Sequence, residues 1–115
     1  MKVTWTQVKN YVEKIKQKYY GKITGVYGIP RGGLVLATIV SYMLDVPLLL
    51  APCKDCLIID DIADSGRTLL HYTENDTQSN KYYISTMFYC KRSVVVPDYY
   101  FMIKNDEWIE YPWEC

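Results

Sequence analysis

Apolar residues return along the amino-terminal segment at alternating steps of three and four. Trp5, Val8, Val12, Ile15 and Tyr19 therefore share one stripe of a helix, opposite Lys9, Glu13, Lys14 and Lys16. Thr4 and Gln7 have the spacing of a capping box at its start, and Gly21 is a suitable stop. The period then changes. Ile23 to Ile29 reads as a short buried strand that breaks at Pro30-Arg31-Gly32-Gly33, after which Leu34 to Leu44 is apolar nearly all round, as expected of a helix against a sheet. Val46 to Leu50 and Leu57 to Ile59 predict two more short strands, the second running into Asp60-Asp61 and a glycine-containing loop before a helix near Thr68 to Glu74. Tyr82 to Cys90 and Tyr99 to Ile103 are β-rich, and Trp108 to Trp113 is an aromatic extended segment.

Strands alternating with helices predict an α/β fold, a mostly parallel sheet covered on both faces, in one compact domain over residues 1–115. No internal repeat, low-complexity tract or linker interrupts it. Ligands of such sheets bind at the carboxyl ends of the strands, where loops converge and helix amino ends point inward. Three loops there carry unusual chemistry: Pro30 to Gly33, Asp60 to Thr68, and Lys91 with Arg92.

Lysine plus arginine balances aspartate plus glutamate at 13 each, which argues against a broad nucleic-acid or membrane footprint and for a local site taking a small charged ligand. No apolar run approaches a membrane span and no secretory signal pattern is visible, so the cytoplasm is the expected compartment. Cys53 and Cys56 form a Cys-x-x-Cys pair, with Cys90 and Cys115 elsewhere. A closed zinc site needs two further ligands at local spacing, and the only histidine, His71, lies in a different segment; free thiols in a reducing compartment are the expectation.

The run Leu57-Ile58-Ile59-Asp60-Asp61-Ile62-Ala63-Asp64-Ser65-Gly66-Arg67-Thr68 sets two carboxylates at a strand end, then a small turn, then hydroxyls at a helix start. Backbone N–H groups around Ser65, Gly66 and Arg67, with the hydroxyls of Ser65 and Thr68, can surround a phosphate that the helix dipole favours. Asp60 and Asp61 are placed to accept from vicinal ribose hydroxyls or to face Mg²⁺ through water. Arg31, Gly32 and Gly33 can present a guanidinium and bare amides to a polyphosphate.

The acidic run resembles the phosphoribosyl pyrophosphate motif of the type I phosphoribosyltransferases. The carboxyl segment Trp108-Ile109-Glu110-Tyr111-Pro112-Trp113-Glu114 and the opening Val3-Thr4-Trp5 resemble the xanthine-guanine branch and its archaeal purine relatives, so the likeness spans nearly the whole chain. It implies transfer of the 5-phosphoribosyl group to a 6-oxopurine (guanine, xanthine or hypoxanthine) with release of pyrophosphate, Mg²⁺ as cofactor, a role in purine salvage, and a homodimer or higher homo-oligomer. It implies too that Asp60, Asp61, Asp64, Ser65, Gly66, Arg67 and Thr68 hold the phosphoribosyl group, and that Arg31, Gly32 and Gly33 hold the leaving pyrophosphate. Trp108 would stack on the base, the Ile109 backbone read its edge, and Lys91 approach the oxygen at position 6. Asp64 would handle the purine proton, its pKa lifted by burial.

Two departures stand out. Pro30 occupies a position where many relatives have a small polar residue before a strained peptide bond. The long mobile loop that relatives carry between their second and third main strands is missing: only Ala51 to Cys56 separate Leu50 from Leu57, and six residues span roughly 20 Å at most. Such a link allows a short parallel return but no lid, and Val46 to Leu50 is equally compatible with an antiparallel or irregular path. The alternative function is a nonenzymatic phosphoribosyl pyrophosphate or nucleotide binder, regulatory or sequestering, that has lost the lid.

Overall fold

In the computed structural model, which describes residues 1–74 and 81–114, the capping box forms as the spacing requires. The Gln7 N–H donates to Thr4 Oγ1 at 3.2 Å and the Thr4 N–H to Gln7 Oε1 at 2.9 Å. Helix α1 (Trp5–Tyr19) follows, and Gly21 takes a left-handed φ of 77° just past its end. Strand β1 is short (Val26–Gly28), and α2 (Gly32–Leu44) begins at the glycines themselves. The remaining elements are β2 (Leu57–Ala63), α3 (Arg67–Glu74), β3 (Tyr83–Tyr89) and β4 (Tyr99–Ile103).

The strands form one all-parallel sheet in the order β1-β2-β3-β4, with Gly28 opposite Ile59, Ile58 opposite Ile84, and Thr86 opposite Tyr100. Helices α1 and α2 share a core with Leu57, Ile59, Met87 and Phe88, whereas Leu69 and Leu70 of α3 pack with Ile58 and Ile84. Both faces are thus covered, and β2 and β3 read as the near-continuous apolar runs that two-sided burial demands. Ser85 lies fully buried on β3 and is matched: its Oγ lies 2.6 Å from the Tyr11 hydroxyl and donates to the Tyr99 carbonyl at 2.9 Å.

One expected strand is not a ladder strand, and the expected extended segment at the carboxyl end pairs elsewhere. Val46 to Leu50 contributes a single parallel bridge, Leu48 to Val26, because Pro47 has no N–H to extend pairing and Leu50 stands 99% exposed at the sheet edge. Val26 pairs with Leu57 on its other side, so the short link does return the chain in parallel, passing across β1. Trp108 to Trp113 stays off the sheet. It pairs instead with the amino terminus, where the Val3 N–H donates to the Glu110 carbonyl (2.8 Å) and the Glu110 N–H to that of Met1 (2.9 Å). Strand β2, conversely, continues beyond the expected Ile59 through both aspartates to Ala63.

Among the described residues Cys53, Cys56 and Cys90 are free thiols; Cys115 lies outside them. Burial pushes Cys56 up to about 11, which leaves it a thiol at neutral pH and argues against a redox pair. No helix among the described residues is long and apolar enough to cross a membrane.

Candidate active site

The turn after β1 is locked onto β2. The Ile29 N–H donates to the Ile59 carbonyl and the Gly33 N–H to that of Ile29, at 2.9 and 2.8 Å. A Cβ on Gly33 would stand 2.2 Å from the Ile59 carbonyl oxygen, and one on Gly32 would stand 2.6 Å from the Asp61 carboxylate. These glycines therefore admit the protein's own second strand; the close approach expected of a polyphosphate is made first by the chain itself. Arg31, exposed and following a cis Pro30–Arg31 peptide, immediately precedes the glycine that abuts the Asp61 carboxylate.

Within that pair the Asp61 N–H donates to Asp60 Oδ1 at 2.9 Å. Burial, reinforced by the Asp61 carboxyl, pushes Asp60 up to about 8, so it holds a proton where an ordinary carboxylate has none. The Tyr111 hydroxyl donates to the Asp61 carbonyl at 3.3 Å, which ties the carboxyl-terminal segment to the same strand end.

The phosphate-type turn precedes α3. Ser65 and Thr68 are exposed, and Ser65 Oγ accepts from the Arg67 N–H at 3.4 Å. Gly66 has φ of 80°, and a Cβ there would lie 2.3 Å from Ser93 Oγ and 2.9 Å from the backbone nitrogens of Val94 and Val95. The Val94 N–H in turn donates to the Ser65 carbonyl at 2.9 Å, so the loops after β2 and β3 are bound as a unit. Gly66→Ala should accordingly cost about 2 kcal/mol or more from the left-handed backbone and the overpacking together. Thermal unfolding should record a fall of roughly 8 °C or more, partly recovered by Ser93→Ala; an unchanged melting temperature would contradict this packing.

Beyond these loops an open cleft of about 780 Å³ is lined by Asp64, Lys91, Arg92, Lys104, Asn105 and Asp106, among others, at the ends of β2, β3 and β4. Here the upward shift expected of the Asp64 pKa is reversed. Its side chain is 43% exposed and ion-paired to Arg92, whose guanidinium holds the carboxyl below the usual range. Lys91 shares the cleft. Trp108 does not line it: its ring is 80% exposed, two residues beyond Asp106, while the Ile109 side chain is buried in the core. The amino-terminal amine donates to the Trp108 carbonyl at 2.6 Å and pins the segment there.

The fold matches proteins of known structure. Purine phosphoribosyltransferase from Pyrococcus horikoshii superposes with a TM-score of 0.84 at 28% identity, over 99% of this chain and 93% of that one. Xanthine-guanine phosphoribosyltransferase of Vibrio vulnificus (strain YJ016) is 26% identical over 136 aligned positions, covering 97% of this chain and 87% of the relative. The chain thus has the fold of the purine phosphoribosyltransferases to which it is similar. The Helicobacter pylori xanthine-guanine-hypoxanthine phosphoribosyltransferase shares the fold at 20% identity, with a TM-score of 0.73 over 96% of this chain and 88% of that one. No family model matches the chain. An alignment of 136 positions exceeds the 115 residues available, so the Vibrio relative carries insertions that this chain lacks, as the short link from Ala51 to Cys56 leads one to expect.

Sequence reasoning missed Arg92 as a site residue, although it named the loop. The available signal was a second cation beside Lys91 at the end of a central strand; its partner, Asp64, lies 28 positions away and needs the fold to be found.

Proposed function

We propose that this chain is a phosphoribosyltransferase that joins a 6-oxopurine (guanine, xanthine or hypoxanthine) to the ribose of phosphoribosyl pyrophosphate and releases pyrophosphate, in a cytoplasmic salvage role. The reading is supported above all by one juxtaposition. The Arg31 turn abuts Asp61 through Gly32, and the α3 turn is bound to the loop that follows Lys91 and Arg92. A phosphorylated sugar seated at the α3 amino end would then have its anomeric carbon between a pyrophosphate corner and an open cleft for the base.

The assigned roles follow charge development. As the bond to pyrophosphate loosens, positive charge grows on the ribose and negative charge on the leaving group, so placement of charge carries most of the catalysis. Arg31 with the Gly32 and Gly33 amides takes the pyrophosphate; Ser65, Gly66, Arg67 and Thr68 anchor the 5′-phosphate; Asp60 and Asp61 face the ribose hydroxyls. Lys91 meets the 6-oxygen and Asp64 accepts the purine proton; Trp108 and the Ile109 backbone, which lie outside the cleft in this structure, would reach the base only if their segment moved inward.

The acidic pair suits Mg²⁺. Asp60 keeps its proton only because burial and a like charge oppose ionisation, and a dication relieves both. No group of three potential metal-ligating side chains occurs among the described residues, so the ion would rest on two carboxylates, substrate oxygens and water, as hydrated Mg²⁺ commonly does. When bound it would neutralise charge on the pyrophosphate.

Incubation with phosphoribosyl pyrophosphate, Mg²⁺ and one base at a time is the test. Nucleotide should form from a 6-oxopurine and not from adenine, because a lysine selects a carbonyl over an amine. A second reading, a nonenzymatic binder, is favoured by the missing lid, which leaves the ribose open to water. Tight binding of phosphoribosyl pyrophosphate with no product from any base would establish it instead.

A further inference from the structure

The Asp64–Arg92 contact is not explained by stability. Arg92 is 72% exposed and Asp64 43%, and ion pairs in such surroundings contribute little to folding. Its geometry is informative. Arg92 Nε donates to Asp64 Oδ1 at 2.9 Å and Nη2 donates to the same oxygen, so the guanidinium grips one carboxylate oxygen from the side rather than both end-on. Oδ2 is left outside that grip, on a side chain that lines the cleft. The other charged and titratable groups facing this pair are the Cys90 thiol and Lys104 ammonium around Asp64, and Asp106, which faces Arg92. Arg92 is thus clasped to the carboxylate that follows β2, with the more distant charge of Asp106, after β4, on the same cleft. A half-exposed aspartate without such a clasp would sample several rotamers.

We propose that Arg92 is a positioning residue for the transfer step: by fixing Oδ1 it turns Oδ2 of Asp64 toward the imidazole edge of the bound purine. The inference rests on the transferase reading above. In the step itself, a purine ring nitrogen forms its bond to the anomeric carbon as the carbon–oxygen bond to pyrophosphate breaks. The bonding pair leaves with pyrophosphate, and the imidazole N–H proton passes to Asp64 Oδ2 and then to water. Arg92 touches neither substrate; it acts through Asp64, and in a site with no lid it supplies the preorganisation that closure would otherwise give.

A double-mutant cycle separates the outcomes. Arg92→Ala should lower kcat by about 10- to 100-fold, with KM for phosphoribosyl pyrophosphate within about 2-fold of wild type. Arg92→Lys, which keeps the charge but not the fork, should fall between. In an Asp64→Asn background, Arg92→Ala should change kcat by less than about 2-fold, since the residue it serves is gone. An equal loss in both backgrounds, or a loss confined to KM, overturns the role, as does an Arg92→Ala enzyme with wild-type kcat. Should the Asp64→Asn background be too slow to follow, the split between kcat and KM in the single variants decides alone. A folded wild-type protein that makes no nucleotide from any 6-oxopurine sinks the transferase reading and this role with it, whereas turnover insensitive to Arg92 sinks only the latter.

Discussion

Asparagine in place of Asp64 should lower kcat by roughly 10²- to 10⁴-fold while leaving KM for phosphoribosyl pyrophosphate within a few-fold of wild type. The asymmetry follows from position. Asp64 lines the cleft with Lys91, apart from the acidic pair at Asp60 and Asp61, so in the proposed reaction its loss would remove a proton acceptor without removing a pyrophosphate contact. The amide is isosteric but offers no charge to stabilise the ribose cation as it forms, and it cannot take the purine proton. Steady-state rates with each substrate varied in turn give the check, and parallel losses in kcat and in phosphoribosyl pyrophosphate affinity would contradict the assignment. The acid limb of the wild-type profile carries a related signature. Because Arg92 holds Asp64 below the ordinary carboxylate range, this group stays ionised, and competent as an acceptor, throughout the mildly acidic and neutral range.

That last point was the part of the site least visible in the chain. A motif can name Asp64, but whether its carboxyl is raised by burial or lowered by a cation depends on which side chain from a distant loop arrives beside it. Local patterns did better where the cause was local. The Thr4–Gln7 box and the α1 stripe are each set by residues within a few turns of helix, and each forms as the spacing requires. Strand limits were blurred for a matching reason. Val46 to Leu50 has the apolar content of a strand, yet Pro47 withholds a donor and only one neighbour is available at the sheet edge. Strand β2, with β1 and β3 on either side, continues through two aspartates that composition alone would assign to a loop.

The glycines give a similar lesson about function. Gly32, Gly33 and Gly66 look from the sequence like ligand cradles. In the fold each is already required by protein atoms: the Asp61 carboxylate, the Ile59 carbonyl and the Ser93 hydroxyl. The two demands are compatible, since a turn packed this tightly presents its amides in a fixed array. Their presence is consequently weaker support for phosphate binding than the convergence of the three loops, and it is on that convergence that the functional reading rests.

Asp60 makes the second large effect. With its folded pKa raised to about 8 against an ordinary value of 3.8, the native protein holds a proton that the unfolded chain gives up between those two values. Stability in a chelator should therefore decline as pH rises across that window and level off above it, the folded state binding more protons than the unfolded one. A shift of this size corresponds to a few kcal/mol, on the order of 10 °C in melting temperature for a domain of this size. Asparagine at position 60 removes the titration: Asp60→Asn should melt close to wild type near pH 4 and well above it near pH 8. Mg²⁺ ought to act on the same term. By favouring the ionised pair it should raise the melting temperature of wild type at pH 8 and release a proton on binding, and it should do neither in the variant. Melting curves from pH 4 to pH 9, with and without Mg²⁺, resolve the question directly. Identical pH slopes in the two proteins would mean that Asp60 ionises freely, and the case for a cation at the acidic strand end would lose its electrostatic basis.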